Sequence, residues 1–187
     1  MDNVFPALDS TLAQMNAAQK AFGFELVQLS VPLDVWDLQE GKPMFLWAER
    51  LADRLRGTPV ELEVDILACI TRHWMRDDEY MNTYGWWPNN REPPILIQSV
   101  AGFDQLAPEG RETDRVIANE MVSGLAGLYG NLDGHETGSK KCPMFFNRQR
   151  KFEHLASRKQ FDKDCQKKLK DRGANLDALD ALLNVFP

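Results

Sequence analysis

The sequence predicts an α/β or α+β domain, in which helices pack on a small mixed sheet. Two apolar runs rich in β-branched residues, 64–72 and 94–103, predict buried strands. Residues 112–130 carry apolar side chains at helical spacing, which predicts an amphipathic helix after the second of these strands. The alternation of strands and helices is typical of a layered domain with a helical or irregular C-terminal part.

The other elements follow from local patterns. Residues 9–22 predict a short helix, and residues 24–31 predict a strand because β-prone apolar residues stand at alternate positions. Residues 43–57 predict a second helix with proline near its start and glycine at its end. A last helix is expected at 176–185, where Asn175 is placed to cap it.

The length of the chain bounds its organisation. With 187 residues, of which 43% are hydrophobic, it fits one domain with a sizeable core, and we assign 1–187 to a single domain. Within it we distinguish an N-terminal helix at 1–22, a core of sheet and helix at 23–131, and a C-terminal part at 132–187.

The apolar and cysteine patterns bear on location. Charges interrupt every apolar window, so no stretch reaches the length of a membrane span, and the N-terminus does not resemble a signal peptide. Three widely spaced cysteines argue against a disulfide framework and for a reducing compartment. We therefore expect a cytoplasmic protein with no membrane partner.

The net charge of −6 hides an asymmetry. Residues 140–172 hold twelve Lys and Arg against four Asp and Glu, a local charge of +8 that leaves −14 for the remainder. A basic segment on an acidic body is typical of a surface for nucleic acid or an acidic partner. The alternative is a solvated helix that packs against the acidic body of its own chain.

Three polar residues of the predicted helix have the spacing of a zinc-peptidase motif. Asn119 and Ser123 are four residues apart on one helix face, and Glu120 lies between them. Zinc peptidases place two histidines at these positions and use the intervening glutamate as general base. The alternative is that the three residues form the ordinary polar face of an amphipathic helix.

From Phe24 onward the chain resembles the archaemetzincin branch of the metzincin, or zincin, clan. The resemblance rests on the two apolar strands, the helix "ANEMVSGLAGLYG", the cysteine-flanked "CPMFF" and the later Cys165. It implies a zincin-like fold in which Tyr129 stands at the third histidine position of the metallopeptidase motif. Met144 would then belong to the methionine-containing turn below the metal.

The departures from the family pattern determine the chemistry that the resemblance implies. Asn119, Ser123 and Tyr129 replace all three histidines, and zinc prefers imidazole, thiolate and carboxylate. We therefore expect no metal in that pocket, a vestigial general base at Glu120, and a pseudo-metallopeptidase. Such a chain would serve a regulatory or binding role, with a protein or peptide as partner.

A second group of residues has metal-binding chemistry. Nitrogen and sulfur donors that zinc favours are present at His135, Cys142, His154 and Cys165, without the close pairs of a zinc finger. The resemblance places Cys142 and Cys165 in the family's structural zinc site, two of whose cysteines this chain lacks. These residues would supply the ligands of a metal-dependent peptidase or hydrolase of non-standard type. The alternative is a surface histidine and two buried thiols.

The stretch 80–94, rich in Asn and Pro, predicts a loop with a cluster of aromatic residues. Exposed, Tyr84, Trp86 and Trp87 would form a partner-binding hot spot, and buried, they would cover the core. In a zincin-like fold this loop lies near the edge strand that holds peptides by strand addition. Peptide binding without cleavage is therefore an expected residual role.

Overall fold

The computed structural model describes residues 8–36, 44–88, 90, 92–102, 110–146 and 152–186. Over these ranges the chain forms seven α-helices and two three-stranded sheets, which confirms the predicted mixed α/β class. Among the described helices, none combines the length and the apolar character that a membrane span requires.

The helices and strands have the following bounds. The helices are α1 (Leu8–Ala18), α2 (Ala48–Arg54), α3 (Thr58–Glu61), α4 (Gly110–Gly130), α5 (Phe152–Ala156), α6 (Lys163–Asp171) and α7 (Leu176–Leu183). The strands are β1 (Leu46–Trp47), β2 (Leu67–Thr71), β3 (Met75–Arg76), β4 (Met81–Thr83), β5 (Gly85–Trp86) and β6 (Ile95–Ser99). A short 3₁₀-helix spans Leu33–Val35.

The second sheet, with strand order β2-β6-β5, carries most of the architecture. Strand β2 pairs in parallel with β6 over five residues, from Leu67 opposite Ile95 to Thr71 opposite Ser99. Strand β5 pairs antiparallel with β6 on its other side. Every residue of β6 is buried, so β6 is the central strand and β2 and β5 are the edges.

The β2-β6-β5 sheet lies between two hydrophobic cores. Leu96 of β6 packs in the larger core with α4, whereas Ile95 and Ile97 pack in the smaller core with α2. This division follows from the strand geometry, because successive side chains point to opposite faces of a sheet. The smaller sheet, with strand order β1-β3-β4, contributes Leu46 and Met75 to the smaller core.

Helix α4 is the centre of the larger core and confirms the helix predicted at 112–130. It packs against α1, α5, α6 and α7 as well as β5 and β6. The strands predicted at 64–72 and 94–103 are also confirmed, although both are shorter than predicted. In the last helix the Asn175 side chain accepts from the Ala178 amide at 3.1 Å, as expected of its cap.

The strand predicted at 24–31 is wrong for the observed structure, in which these residues belong to neither sheet. The helix predicted at 43–57 is partly wrong, because the chain first forms β1 and only then enters α2. Leu46 donates its amide to the Trp74 carbonyl at 2.8 Å, so pairing with β3 overrides helix propensity here. The predicted start of that helix at 43 lies outside the described residues.

The loop predicted at 80–94 is also partly wrong, since β4 and β5 lie within it. Gly85 pairs opposite Gln98, and Trp86 pairs opposite Ile97 on the central strand. Asparagine and glycine predict turns from local preference alone, whereas β5 is stabilised by pairing with residues of β6 that lie 11 and 13 positions further along the chain.

Candidate functional site

The polar face of α4 is buried and hydrogen-bonded to the protein. Asn119 donates from Nδ2 to the Leu155 carbonyl at 2.7 Å, and its Oδ1 has no partner among the described residues. Ser123 Oγ lies 2.9 Å from the carbonyl oxygens of Asn119 and Pro143. Asn119 and Ser123 are 1% and 2% exposed, so this face belongs to the interior of the domain.

Arg158 closes this face. Its Nη1 forms an ion pair with Glu120 Oε1 and lies 3.0 Å from Ser123 Oγ, while Nη2 donates to the Phe145 carbonyl at 3.1 Å. The side chains of Arg158 and Glu120 are each 6% exposed. Buried charges require such compensation, and here a guanidinium supplies the positive charge beside the glutamate.

The structure does not bring Tyr129 to this face. Because α4 continues to Gly130, Tyr129 lies about 15 Å along the helix axis from Asn119. Its ring packs 5.6 Å from the ring of Phe22 and remains 38% exposed. Met144, the residue assigned to the Met-turn, is buried in the larger core, and Pro143 before it contacts Ser123.

A compact group of side chains of the types that bind metals comes from the chain that follows α4. His135, Cys142, Asp162 and Cys165 each present one ligand atom, and these four atoms lie within 4.8 Å of one another. His135 Nε2 is 3.3 Å from Cys142 Sγ and 3.2 Å from Asp162 Oδ2. Two thiols, an imidazole and a carboxylate are the donors that a tetrahedral zinc site uses.

Local backbone structure holds His135 and Cys142 together. His135 bridges to Phe145, with its amide donating to the Met144 carbonyl at 2.9 Å and its carbonyl accepting from Phe146 at 2.8 Å. Cys142 lies in the turn that this bridge closes, where its amide donates to the Ser139 carbonyl at 3.0 Å. The two ligand atoms therefore approach each other across one short loop.

Helix capping positions the other two side chains. Asp162 is the N-cap of α6, and its Oδ1 accepts from the Cys165 amide at 2.9 Å. An N-cap side chain lies beside the third residue of its helix, so Asp162 and Cys165 are neighbours by geometry. Gly138 adopts φ +102°, and a Cβ there would lie 3.1 Å from Asp162 Oδ2, so this loop passes close to the carboxylate.

The two thiols have opposite acidities. A hydrogen bond from the Cys165 thiol is the largest influence on Cys142 and, with other hydrogen bonds, lowers the Cys142 pKa to about 6. The same hydrogen bond, followed by burial, raises the pKa of Cys165 above its usual value. The pair therefore carries one thiolate and one thiol at neutral pH, and a cation would displace the remaining proton.

The neighbouring groups respond to this negative charge. Burial lowers the His135 pKa, but hydrogen bonds to Cys142 and Thr137 outweigh it, and the net shift is upward. Burial acts to raise the Asp162 pKa, but hydrogen bonds from Cys165 and the charge of His135 outweigh it, and the net shift is downward. A concentration of negative donors around one imidazole is the electrostatic setting of a cation site.

The geometry favours a metal site over a nucleophilic triad. His135 Nδ1 is 2.7 Å from the Thr137 carbonyl, and because a carbonyl only accepts, Nδ1 carries the hydrogen. Cys142 and Asp162 therefore both face the same nitrogen, Nε2, whereas a triad places nucleophile and acid on opposite ring nitrogens. Cys142 is also fully buried, which excludes attack on a bulky substrate.

The observed group retains three of the four residues proposed from the sequence. Asp162 stands in it and His154 does not. The rings of His135 and His154 both lie edge-on to Phe145, with centroids 6.1 and 6.5 Å from it. The spacing of Asp162 and Cys165, a helix cap followed three residues later by a ligand, is the signal that sequence reasoning missed.

The aromatic cluster covers the core. Tyr84 is only 7% exposed, and Trp86 and Trp87 are half-buried. A Cβ at Gly127 of α4 would clash with the indole of Trp87, so that ring lies directly on the helix. Tyr84 is therefore not a surface residue, and the partly exposed tryptophans flank the β5 edge.

The basic residues of segment 140–172 differ in their exposure to solvent. Arg158 is buried in its ion pair, while Arg148, Arg150 and Lys151 lie outside the described residues. The other basic residues of the segment are exposed: Lys140, Lys141, Lys159, Lys163, Lys167, Lys168, Lys170 and Arg172. Lys141, Lys159 and Lys163 line a surface cavity of about 430 Å³ together with Asp162.

The fold and site thus define a mixed α/β domain with a partly buried four-residue candidate metal centre. Comparison with protein-family models, with curated proteins and with solved structures gave no match. The function is therefore argued from the site itself.

Proposed function

We propose that the chain is a non-catalytic, zincin-like domain that binds a protein or peptide partner and is stabilised by a structural zinc ion. The ion pair between Arg158 and Glu120 is the observation that carries the proposal. A glutamate that neutralises a buried guanidinium does not serve as a general base, and the adjacent Asn119 and Ser123 are bonded to backbone carbonyls.

In this proposal the zinc ion is bound by His135, Cys142, Asp162 and Cys165. Three observations support this assignment. The four side chains are of types that bind zinc, their ligand atoms lie close together, and the Thr137 carbonyl orients the His135 ring. Four protein ligands complete a tetrahedral shell and leave no position for a water, which is the arrangement of structural rather than catalytic zinc. The ion would join the end of α4, the Cys142 turn and α6.

The proposed partner surface is the edge strand β5. Its inner side pairs with β6, and its outer side faces no strand among the described residues. Exposed strand edges bind extended peptides by adding a strand, and Trp86 and Trp87 offer partly exposed aromatic surface beside this edge. The free thiols of Cys69, Cys142 and Cys165 support the accompanying proposal of a cytoplasmic location.

Metal content and peptidase activity test this proposal together. The purified chain is expected to hold one zinc per protein and to leave a quenched fluorescent peptide library uncleaved. The matched variants are Glu120→Gln and His135→Ala. Zinc content is expected to survive the first and to fall in the second. Zinc-dependent cleavage that disappears in Glu120→Gln would overturn the non-catalytic assignment.

Peptide binding is tested by panning a random decapeptide phage library on the zinc-loaded protein. Enrichment of peptides with alternating apolar residues is expected, because a strand added to β5 presents alternate side chains to the protein. Failure to enrich any sequence over a blank surface would contradict the peptide-binding role.

Binding of nucleic acid is a second candidate function, favoured by the exposed lysines of α6 and its flanking residues. Such binding depends on phosphate contacts, so its affinity would fall steeply as salt is added. Retardation of a DNA or RNA fragment at low salt, reduced by Lys163→Gln with Lys167→Gln, is the expected result. No retardation at low salt removes this candidate.

A further inference from the structure

Residues 24–31 expose an unusual amount of aliphatic surface. Leu26, Val27, Leu29 and Val31 are 45%, 40%, 41% and 41% exposed, all within eight residues. No hydrogen bond between residues 25–31 and the rest of the described chain is found. A β-prone segment with unpaired backbone and exposed aliphatic side chains has the properties of a strand without a neighbour.

The outer edge of β2 also has no partner strand among the described residues. Leu67 donates its amide to the Pro94 carbonyl at 3.0 Å, and the Thr71 carbonyl accepts from Val100 at 2.8 Å, so these residues bond towards β6. Alternate residues of a strand direct their peptide groups to opposite sides. Ala68 and Ile70 therefore direct theirs outward, where no described strand pairs with β2.

The ends of the segment lie on opposite faces of the β2-β6-β5 sheet. Phe24 packs against the larger core, and both its amide and its carbonyl bond to the Asn16 side chain, at 2.8 and 2.9 Å. Val35 is fully buried in the smaller core on the other face. The chain from 24 to 35 therefore passes from one face to the other around an edge.

That edge is the edge of β2. Phe22, two residues before the segment, packs its ring 5.6 Å from Tyr129. Tyr129 in turn lines a cavity with Asp65 and Ile66, which precede β2, and with Pro94, which precedes the neighbouring strand β6. The segment thus starts beside the beginning of β2 and is placed to run parallel to it.

We propose that residues 24–31 close onto the outer edge of β2 as a fourth, parallel strand. Their outward backbone groups would then pair with those of Ala68 and Ile70. Successive side chains of this strand would point to opposite faces of the sheet. Leu26 would then lie with Phe24 on the side of α4. Val27 and Leu29 would lie with Val35 on the side of α2. Strand β1 of the other sheet and helices α2 and α3 lie between the two strands in sequence, so the connection is long enough for the crossover that parallel strands require.

The chain's own segment is favoured over a second copy as the occupant of this edge. It is tethered within two residues of a contact beside β2, and such tethering corresponds to a local concentration in the millimolar range. Closure leaves β5 as the free edge of this sheet within the described residues, which is the edge proposed for a partner. The closure itself depends neither on zinc nor on a peptide.

Hydrogen exchange of the zinc-loaded chain, residues 1–187, tests this proposal. Closure is expected to slow exchange of amides within 25–31, and of Ala68 and Ile70, by about 100-fold or more relative to an unstructured chain. Exchange of residues 25–31 at the unstructured rate would overturn the proposal. Protection that appears only as protein concentration rises, together with dimer formation, would also overturn it in favour of strand exchange between copies.

Substitutions provide a second readout. Val27→Asp and Leu29→Asp are expected to lower the melting temperature and to restore fast exchange at Ala68 and Ile70. Val60→Asp is the matched control, because Val60 is 81% exposed on α3 and lies outside both cores. If the three variants have the same melting temperature and the exchange of Ala68 and Ile70 is unchanged in all of them, the closure does not occur.

Discussion

Arg158 and Glu120 form an ion pair in which each side chain is only 6% exposed. The two residues are far apart in sequence, one on α4 and the other just after α5. Their pairing places a positive charge of the protein beside the helix residue that a zinc peptidase would use as general base. The same guanidinium also bonds to Ser123 and to the Phe145 carbonyl, so it joins α4 to the C-terminal part.

Removal of one partner should be costly. Arg158→Ala leaves Glu120 buried without a counter-charge, and the free energy of unfolding is expected to fall by about 3–5 kcal/mol in urea titrations. The Arg158→Ala/Glu120→Ala double variant should lose less than the sum of the single variants. Arg56→Ala is the control, because its pair with Asp53 is 59% and 68% exposed and should contribute less than about 1 kcal/mol. Equal losses at the two sites would refute a buried pair.

Ligand substitutions distinguish the observed metal group from the group proposed from sequence. Asp162→Ala and His135→Ala each remove a direct zinc ligand. Removal of a residue that only hydrogen-bonds to a ligand typically lowers metal affinity by about 10–100-fold, and we expect these two variants to lose more than that. His154→Ala should bind zinc like the unmodified chain, because His154 is not among the four residues whose ligand atoms converge. Competition with a chromophoric chelator measures these affinities. A large loss in His154→Ala alone would place the ion elsewhere.

Zinc affinity should depend on pH in a defined direction. Because the Cys142 pKa is lowered to about 6, this thiol is ionised at pH 7, whereas Cys165, with its raised pKa, keeps its proton until the cation binds. Binding at pH 7.5 should release at least about one proton, and affinity should fall steeply as pH drops below 6. Calorimetry in buffers of different ionisation enthalpy measures the release. Affinity independent of pH between 5 and 8 would contradict thiolate ligation.

Thiol reactivity offers a test with an internal control. With zinc bound, Cys142 should resist a small disulfide reagent at pH 7.5, and removal of the ion by a chelator should expose this thiol, whose pKa is lowered, and make it react. Cys69 should stay unreactive throughout, since burial raises its pKa to about 12. Mass spectrometry of the labelled peptides identifies each thiol. Labelling of Cys69 before Cys142 would contradict this assignment.

The contact between α4 and the aromatic cluster is tested at Gly127. A methyl group there would clash with the Trp87 indole, so Gly127→Ala should destabilise the chain by about 1–3 kcal/mol. Gly23→Ala is the control, because a Cβ at that position meets no atom within 4 Å and the change should be neutral or slightly stabilising. Thermal melts of both variants give the comparison. A neutral Gly127→Ala would show that Trp87 does not lie on the helix.

The sequence correctly predicted those helices and strands whose local pattern of apolar residues agrees with their packing in the structure. Helix α4 and strand β6 combine the right periodicity with extensive burial, so both were found, with errors at their ends. Strands β1 and β5, of two residues each, were missed because they arise from pairing with β3 and β6 rather than from local preference. Residues 24–31 have the local pattern of a strand without a paired neighbour in the structure.

The candidate site was predicted only in part, for a related reason. Cysteine and histidine are conspicuous in a sequence, and three of them do converge. Asp162 was missed because its role depends on helix capping, which brings it beside Cys165. Arg158 was counted as part of a basic segment, and its pairing with Glu120, thirty-eight residues away, is a tertiary contact that charge counting does not reveal.

X-ray absorption at the zinc edge tests the central claim most directly, because it reports which atoms surround the metal in the intact protein. We predict two sulfur ligands at about 2.3 Å with nitrogen and oxygen ligands at about 2.0–2.2 Å, as Cys142, Cys165, His135 and Asp162 would provide. A zinc shell of nitrogen and oxygen without sulfur would contradict the account.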